Sequence, residues 1–505
     1  MAGANRQLAP LYIKGPGYEE FVAALTEIAH AACEHGARTF QALGKSFDDI
    51  PGDELRRQFM TACHEGFDQA QAAIGQLIIE LDANLRDAER DRAEARRNHD
   101  REKAPDLALR IEGMTNRQLI LRRIVDYVYF ALLNREAHRY KRFFVHRKLQ
   151  HIDADVLRMA LDFARARNAE NTLRFTLVAD LTTGMHMADL VEIDRTAPEP
   201  RLDIIELKTG ETNRVLLDML DKTPDRATVD QLNAMGPKAW EQLNRMVRQH
   251  RRLSDSFAVM TTDRGFDTLN QAPIVLSKDP VPADGFLADL ITVCVEAGKA
   301  GVSDRRVDEC LSLVAIREGC GLTVTDGLVK HYFYHLNPET PHCLLLQGDN
   351  AAHEEMRRVA QSELQFLDLG KFLLRDLFGP GLFATMPTPI ALEIVTGKLR
   401  LFARFDIARF FALAASKGIT LTWGSRRKSA EAIRRKVSAP IPGAPGRSSV
   451  VHCQIKDQPE GTLLYGFFTR PFRDLLRAND LVELIRARAA QPPAEDQAPV
   501  SAEAE

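Results

Sequence analysis

Between residues 173 and 208 the chain changes from a helical to an extended pattern, and this change constrains its fold more than any other feature. Leu173–Asp180 (LRFTLVAD), Asp189–Asp194 and Leu202–Lys208 each read as a short strand, with Thr182-Thr183-Gly184 as a turn between the first two. Upstream, Asp153–Ala169 carries Val156, Met159, Ala160 and Phe163 on one side of a predicted helix. Downstream, Gly210–Asp230 is polar and reads as loop plus a short helix, and Pro237 suits the first position of a helix running to about Arg252. Ser256–Thr262 and Ala272–Leu276 read as further strands. The order helix, strand, strand, strand, helix, strand predicts a mixed α/β domain with a core sheet flanked by helices.

The third of these strands is mostly apolar and ends in Glu206-Leu207-Lys208, while the second opens on Asp189. Side chains alternate along a strand, so Glu206 and Lys208 share a face. Charges at the end of an otherwise buried strand are costly unless paired or used. Metal-assisted phosphodiester cleavage would use them. Magnesium takes one or two carboxylates and keeps waters, and a lysine supplies a point charge for the attacking water or the phosphate. Asp189 and Glu206 are the candidate ligands, the Leu207 carbonyl is a third, and Lys208 is the cation. An acid-and-lysine set without a cysteine or histidine cluster suits Mg2+ or Mn2+ better than zinc. The competing reading is a solvated salt bridge at a sheet edge. Glu192 and Asp203 fall on the other strand face and are expected to meet solvent.

Asp189, sixteen intervening residues and Glu206-Leu207-Lys208 resemble the PD-(D/E)XK nuclease superfamily, and IIELKTG after ADLVEID is similar to its RecB-like branch. The resemblance covers about residues 120–275. It implies a restriction-endonuclease-like core, metal-dependent hydrolysis of nucleic acid, and a glutamine on the following helix that positions substrate or water. Gln242 matches that role and Gln231 is the alternative. Position 246 is Met where the branch has Tyr, and Ala188 precedes the acid where Pro or Gly is usual. A glutamate on the preceding helix is also implied, with Glu136 and Glu170 as candidates. His186 could orient a phosphate or be an ordinary loop residue.

The flanks carry less information. Residues 17–100 read as helices, with Gly36 as an end of the first and Asp53 as a cap of the second. Arg86–Lys103 holds seven basic and six acidic residues, the pattern of a solvated helix within a helical hairpin. Ile120, Ile124, Val128 and Leu132 form a core stripe. The continuation to residue 150 is basic and aromatic, and Arg139, Lys141 and Arg142 are candidate nucleic-acid contacts. Residues 280–336 read as mainly helical. A mixed C-terminal region follows, with strands at Cys343–Gln347, Ile390–Val395, Ile419–Trp423, Val450–Ile455 and Thr462–Phe468. Its helices are expected at His353–Phe378, Asp406–Lys417 and Pro471–Arg488. Trp423–Arg447 holds seven Arg/Lys against one Glu, making Arg426, Arg427, Lys428, Arg434 and Arg435 a second candidate contact.

The division expected is a helical region at 1–115, a nuclease-like domain at 116–278, a helical connector at 279–340, an α/β domain at 341–490 and a disordered acidic tail at 491–505. The net charge of −3 gives no general attraction to nucleic acid, so any grip must be local. The seven cysteines include no CxxC pair, and there is neither a signal core nor a run of 18 apolar residues. These features predict a cytoplasmic chain without a membrane partner. The functional expectation is a Mg2+-dependent nuclease acting on DNA, by association of architecture in restriction or antiviral defence, with a protein partner on a terminal region. An RNA-directed nuclease and a catalytically silent nucleic-acid-binding scaffold are the alternatives.

Overall fold

The computed structural model describes residues 11–42, 52–135, 152–185, 189–197, 200–205, 207, 226–244, 247, 264–267, 272–275, 285–318, 365–376, 379, 381–434, 448–456, 458 and 460–489. It is a mixed α/β chain, dominated by helix, whose sheets are small and antiparallel. Two compact units are formed. One joins Leu11–Ser277 to Leu374–Thr396, and the other joins Met1–Pro10, Lys278–Leu373 and Gly397–Glu505.

The first unit begins with three long helices, α1 (Tyr18–Ala42), α2 (Gly52–Arg97) and α3 (Lys103–Leu132). The charged stretch after Arg86 forms the end of α2 and the turn into α3, a helical hairpin as its composition predicts. Gly36 does not end α1. It lies inside the helix, where an added Cβ would come 2.4 Å from the Cys63 sulfur, so its bareness lets α1 and α2 pack closely. Gly66 does the same from α2, with an added Cβ 2.3 Å from the Ala31 carbonyl. Ile120, Ile124, Val128 and Leu132 of α3 are buried as expected. So are Arg117, Arg122, Arg123 and Asp126, because α3 is covered on several sides.

Helix α4 (Ala154–Glu170) is capped by Asp153, whose side chain accepts from the Asp155 and Val156 amides. Its buried face is Leu157, Ala160 and Ala164. Val156, Met159 and Phe163 are exposed, which corrects the expected inward stripe. Strands β1 (Arg174–Val178), β2 (Leu190–Asp194) and β3 (Arg201–Ile205) form an antiparallel meander in the order β1-β2-β3. Phe175, Leu177, Val191 and Ile193 are fully buried on one face, and Phe175 packs on His64 and Phe67 of α2. The outer edge of β1 is closed by side chains. Gln71 donates to the Thr176 carbonyl (3.1 Å) and accepts from the Val178 amide (2.9 Å), and Asn168 accepts from the Thr176 amide (2.6 Å). Helix α5 (Arg226–Met235) ends before Gly236, at φ +86°, and residues 237–244 are helical again. Leu232 and Ala239 pack together with Met235, Trp240 and Leu243. Strands β4 (Arg264–Asp267) and β5 (Ala272–Val275) pair antiparallel. The strand expected over 256–262 lies outside the described residues.

In the second unit, α6 (Leu287–Ala300) leads into β6 (Val302–Arg306) and β7 (Leu311–Arg317). Residues 280–336 are therefore not a wholly helical connector. The run Leu311–Ile316 is buried on both faces, so it shows no alternation and imitates a helix. With β8 (Gln365–Asp368) and β9 (Leu399–Phe405) these strands form a sheet ordered β6-β7-β9-β8. The helix expected over 353–378 is, where described, β8 followed by a helix at Leu369–Arg375. The strand expected over 390–395 is the helix Thr388–Val395, opened by Pro387 and Pro389, and belongs to the first unit. Helix α7 (Ile407–Ser416), capped by Asp406, precedes β10 (Ile419–Trp423). Helix α8 (Arg426–Arg434), β11 (Val450–Ile455) and β12 (Gly461–Leu464) follow, and β10-β11-β12 is a second meander. These match the expected strands, except that residues 465–468 turn helical. The last helix expected is broken at Leu475 (φ +52°), leaving Arg470–Arg473 and α9 (Ala478–Ala489). No helix among the described residues is long and apolar enough to cross a membrane. The segments 343–347 and 491–505 lie outside the described residues.

Candidate functional site

The register of the first meander sets the geometry of the site. Leu190 pairs with Ile205 and Val178 with Leu190, so the start of β2, the end of β3 and the end of β1 lie at one edge. Asp189 is the residue just before β2 and is half-buried. Two hydrogen bonds extend the sheet past its last paired residues. The Ala179 amide donates to the Asp189 carbonyl (2.9 Å), and the Leu207 amide donates to Asp189 Oδ2 (2.6 Å). The second bond is short, as expected for a backbone amide on a carboxylate. It ties the aspartate of one strand to the middle residue of the Glu206-Leu207-Lys208 tripeptide. Asp189 and the Leu207 amide are thus brought together. Glu206, Lys208, His186 and Glu136 lie outside the described residues, as do Arg139, Lys141, Arg142 and Arg435.

The remaining candidates are distributed over both units. Gln242 is half-buried in the helical residues 237–244, and Gln231 belongs to α5. Glu170 stands exposed at the end of α4, 3.5 Å from Arg167. Arg426, Arg427, Lys428 and Arg434 are all exposed on α8. That helix is anchored by its other side, where Ala432 is buried and Ser429 bonds to Ser448 and to the Ser449 amide.

The opposite face of the hairpin differs from the sequence expectation at one residue. Asp203 is exposed, but Glu192 is only 4% exposed. Arg167 of α4 grips it with two nitrogens, at 2.8 and 3.0 Å to one oxygen and 3.1 Å to the other, and Thr176 Oγ1 adds a bond at 3.3 Å. Arg174 holds Asp194 beside it at 3.1 Å. Burial pushes the Asp194 pKa up, but the Thr196 hydrogen bonds and the Arg174 link together outweigh it and leave the pKa lowered. A carboxylate with its arginine supplied from another helix can be buried, and no local pattern in the strand announces that partner.

Sequence reasoning also missed how the segment leading to Asp189 is held. Residues Ala179–Leu181 form one 3-10 turn. Thr182 bonds back to the Ala179 carbonyl through its amide (2.9 Å) and its hydroxyl (2.8 Å), and its hydroxyl accepts from the Met185 amide (2.9 Å). From α3, Arg122 Nη1 donates to the carbonyls of Asp180 and Thr182, and Asp126 accepts from both the amide and the hydroxyl of Thr183. Burial pushes the Arg122 pKa down, and the nearby Asp180, Asp126 and Asp82 oppose that shift. The sequence signal for these residues was two charges, four apart, inside an apolar helix.

The described donors suit a hard cation in kind, with one carboxylate and the carbonyl of Leu207 at the same sheet edge. Among the described residues no group of three His, Cys, Asp or Glu side chains could hold a metal, and Glu206 lies outside them. No protein-family model, no curated protein and no solved structure matches this chain.

Proposed function

We propose that the chain is a Mg2+- or Mn2+-dependent nuclease of the PD-(D/E)XK kind, acting on DNA. The observation that carries this reading is the bond from the Leu207 amide to Asp189 Oδ2 at the end of the β2–β3 hairpin. It binds the aspartate to the tripeptide whose flanking residues, Glu206 and Lys208, carry the other two charges the reaction needs. The helix-meander-helix order around it, α4, β1–β3 and then α5 with residues 237–244, also supports the reading.

In this account Asp189 and Glu206 offer oxygen ligands, and the carbonyl of Leu207 completes the protein's share. A divalent ion held there would lower the pKa of a bound water and offset charge building on the phosphate. Lys208 would supply the cation for the attacked phosphate, and Gln242 or Gln231 would orient the substrate or water. The exposed cations of α8 supply a phosphate grip that reads no sequence. Asp189→Ala and Lys208→Ala, purified as folded proteins, are expected to lose cleavage of duplex and single-stranded DNA in Mg2+ and Mn2+. An RNA panel run alongside separates the RNA-directed alternative. Binding without cleavage by the wild-type chain in both metals would mark a silent scaffold instead.

A further inference from the structure

We propose that Asp126 of α3 is a positioning residue for the metal site, acting on Asp189 through Thr183 and the segment Ala179–Met185. This rests on the nuclease reading above. Asp126 and Arg123 are both essentially inaccessible, at 1% exposure each, and are bonded to one another at 2.8 Å. A buried ion pair is expensive, and apolar side chains of similar size would pack α3 at least as well. The charges are spent on backbone instead. Arg123 also donates to the Asp376 carbonyl (3.1 Å), so its guanidinium is held from two sides and in turn holds Asp126. The remaining acceptor capacity of Asp126 goes to Thr183, whose amide donates at 2.9 Å and whose hydroxyl donates as well.

From Thr183 the connections run without a gap to the site. Thr182 is tied to Ala179, and the Ala179 amide is tied to the Asp189 carbonyl at 2.9 Å. One turn before Asp126 on the same helix, Arg122 holds the Asp180 and Thr182 carbonyls. The pair grips the segment from its carbonyl and its amide sides, which fixes both its position and its rotation. A ligand whose backbone is tied to so fixed a segment, as Asp189 is through Ala179, needs little reordering when a cation arrives.

The test is Mn2+ binding to the full chain without nucleic acid, read by calorimetry, with amide hydrogen exchange over 182–190 and a melting curve for each variant. Thr183→Val keeps the shape of the side chain and removes the hydroxyl donor, whereas Thr183→Ser keeps the donor. Thr183→Val and Asp126→Asn are expected to weaken Mn2+ binding by about ten-fold or more and to speed exchange over 182–190. Thr183→Ser should bind as the wild type does. Should Asp126→Asn fail to fold, the Val and Ser pair at position 183 decides. Wild-type Mn2+ affinity in folded Thr183→Val overturns the proposal and leaves the nuclease reading standing. A wild-type chain with no Mn2+ binding that depends on Asp189 overturns both.

Discussion

Asp189 is fixed through its backbone by Ala179, in the turn that follows β1, and through its side chain by Leu207, just past the end of β3. Such double fixing limits the freedom a carboxylate would otherwise lose on binding a cation. Among single residues, His64 carries the clearest pH signature. Its ring lies buried against Phe67 and Phe175, and burial, helped by the nearby Arg195, lowers its pKa to about 4. A histidine held neutral in the folded chain stabilises it fully above the unfolded pKa. That contribution is lost as the pH falls from about 6.5 towards 4, by up to about 3 kcal/mol. Melting temperature measured against pH should drop across this window for the wild type and flatten in His64→Leu. Individual residues were partly legible in the sequence. The acid at 189 and the tripeptide at 206–208 stood out because charge there breaks an apolar pattern. Arg167 and Asp126 did not, because their partners, Glu192 and Thr183, are distant in sequence or featureless in composition.

At the level of elements, β1 ends the meander without a neighbouring strand among the described residues, and Gln71 and Asn168 take its outward backbone groups. Gln71→Leu leaves the Thr176 carbonyl and Val178 amide buried without that partner. The expected loss is about 1–3 kcal/mol of unfolding free energy in denaturant titration. Gly66→Ala presses a methyl group against the Ala31 carbonyl and should separate α1 from α2, at a cost of about 1–3 kcal/mol in the same measurement. Short amphipathic strands such as β10 and β11, and capped helices such as α4 and α7, were legible because their periods and caps are local. The buried run in β7 and the helix at 388–395 were not. An element buried on every side has no polar phase to read, and only its tertiary neighbours decide between strand and helix.

Across the whole chain, the units do not follow the linear order of the sequence. Leu374–Thr396 belongs to the first unit although it lies between two segments of the second. Its attachment includes the Asp376 and Gly379 carbonyls on Arg123. Gly381 adopts φ +81°, and an added Cβ there would come 2.2 Å from the Arg123 guanidinium. Gly381→Ala should therefore lower the stability of the first unit by about 1–3 kcal/mol through backbone strain and crowding, measured by thermal melting. No sequence pattern announces such a return of the chain, because it depends on one glycine and one arginine more than 250 residues apart. The proposed activity is divalent-metal-dependent cleavage of DNA by Asp189, Glu206 and Lys208. The most direct measurement compares wild type, Asp189→Ala and Lys208→Ala in DNA cleavage with Mg2+ and with Mn2+, each variant first shown to melt like the wild type. The account predicts metal-dependent cleavage by the wild type alone; cleavage retained by folded Asp189→Ala would contradict it.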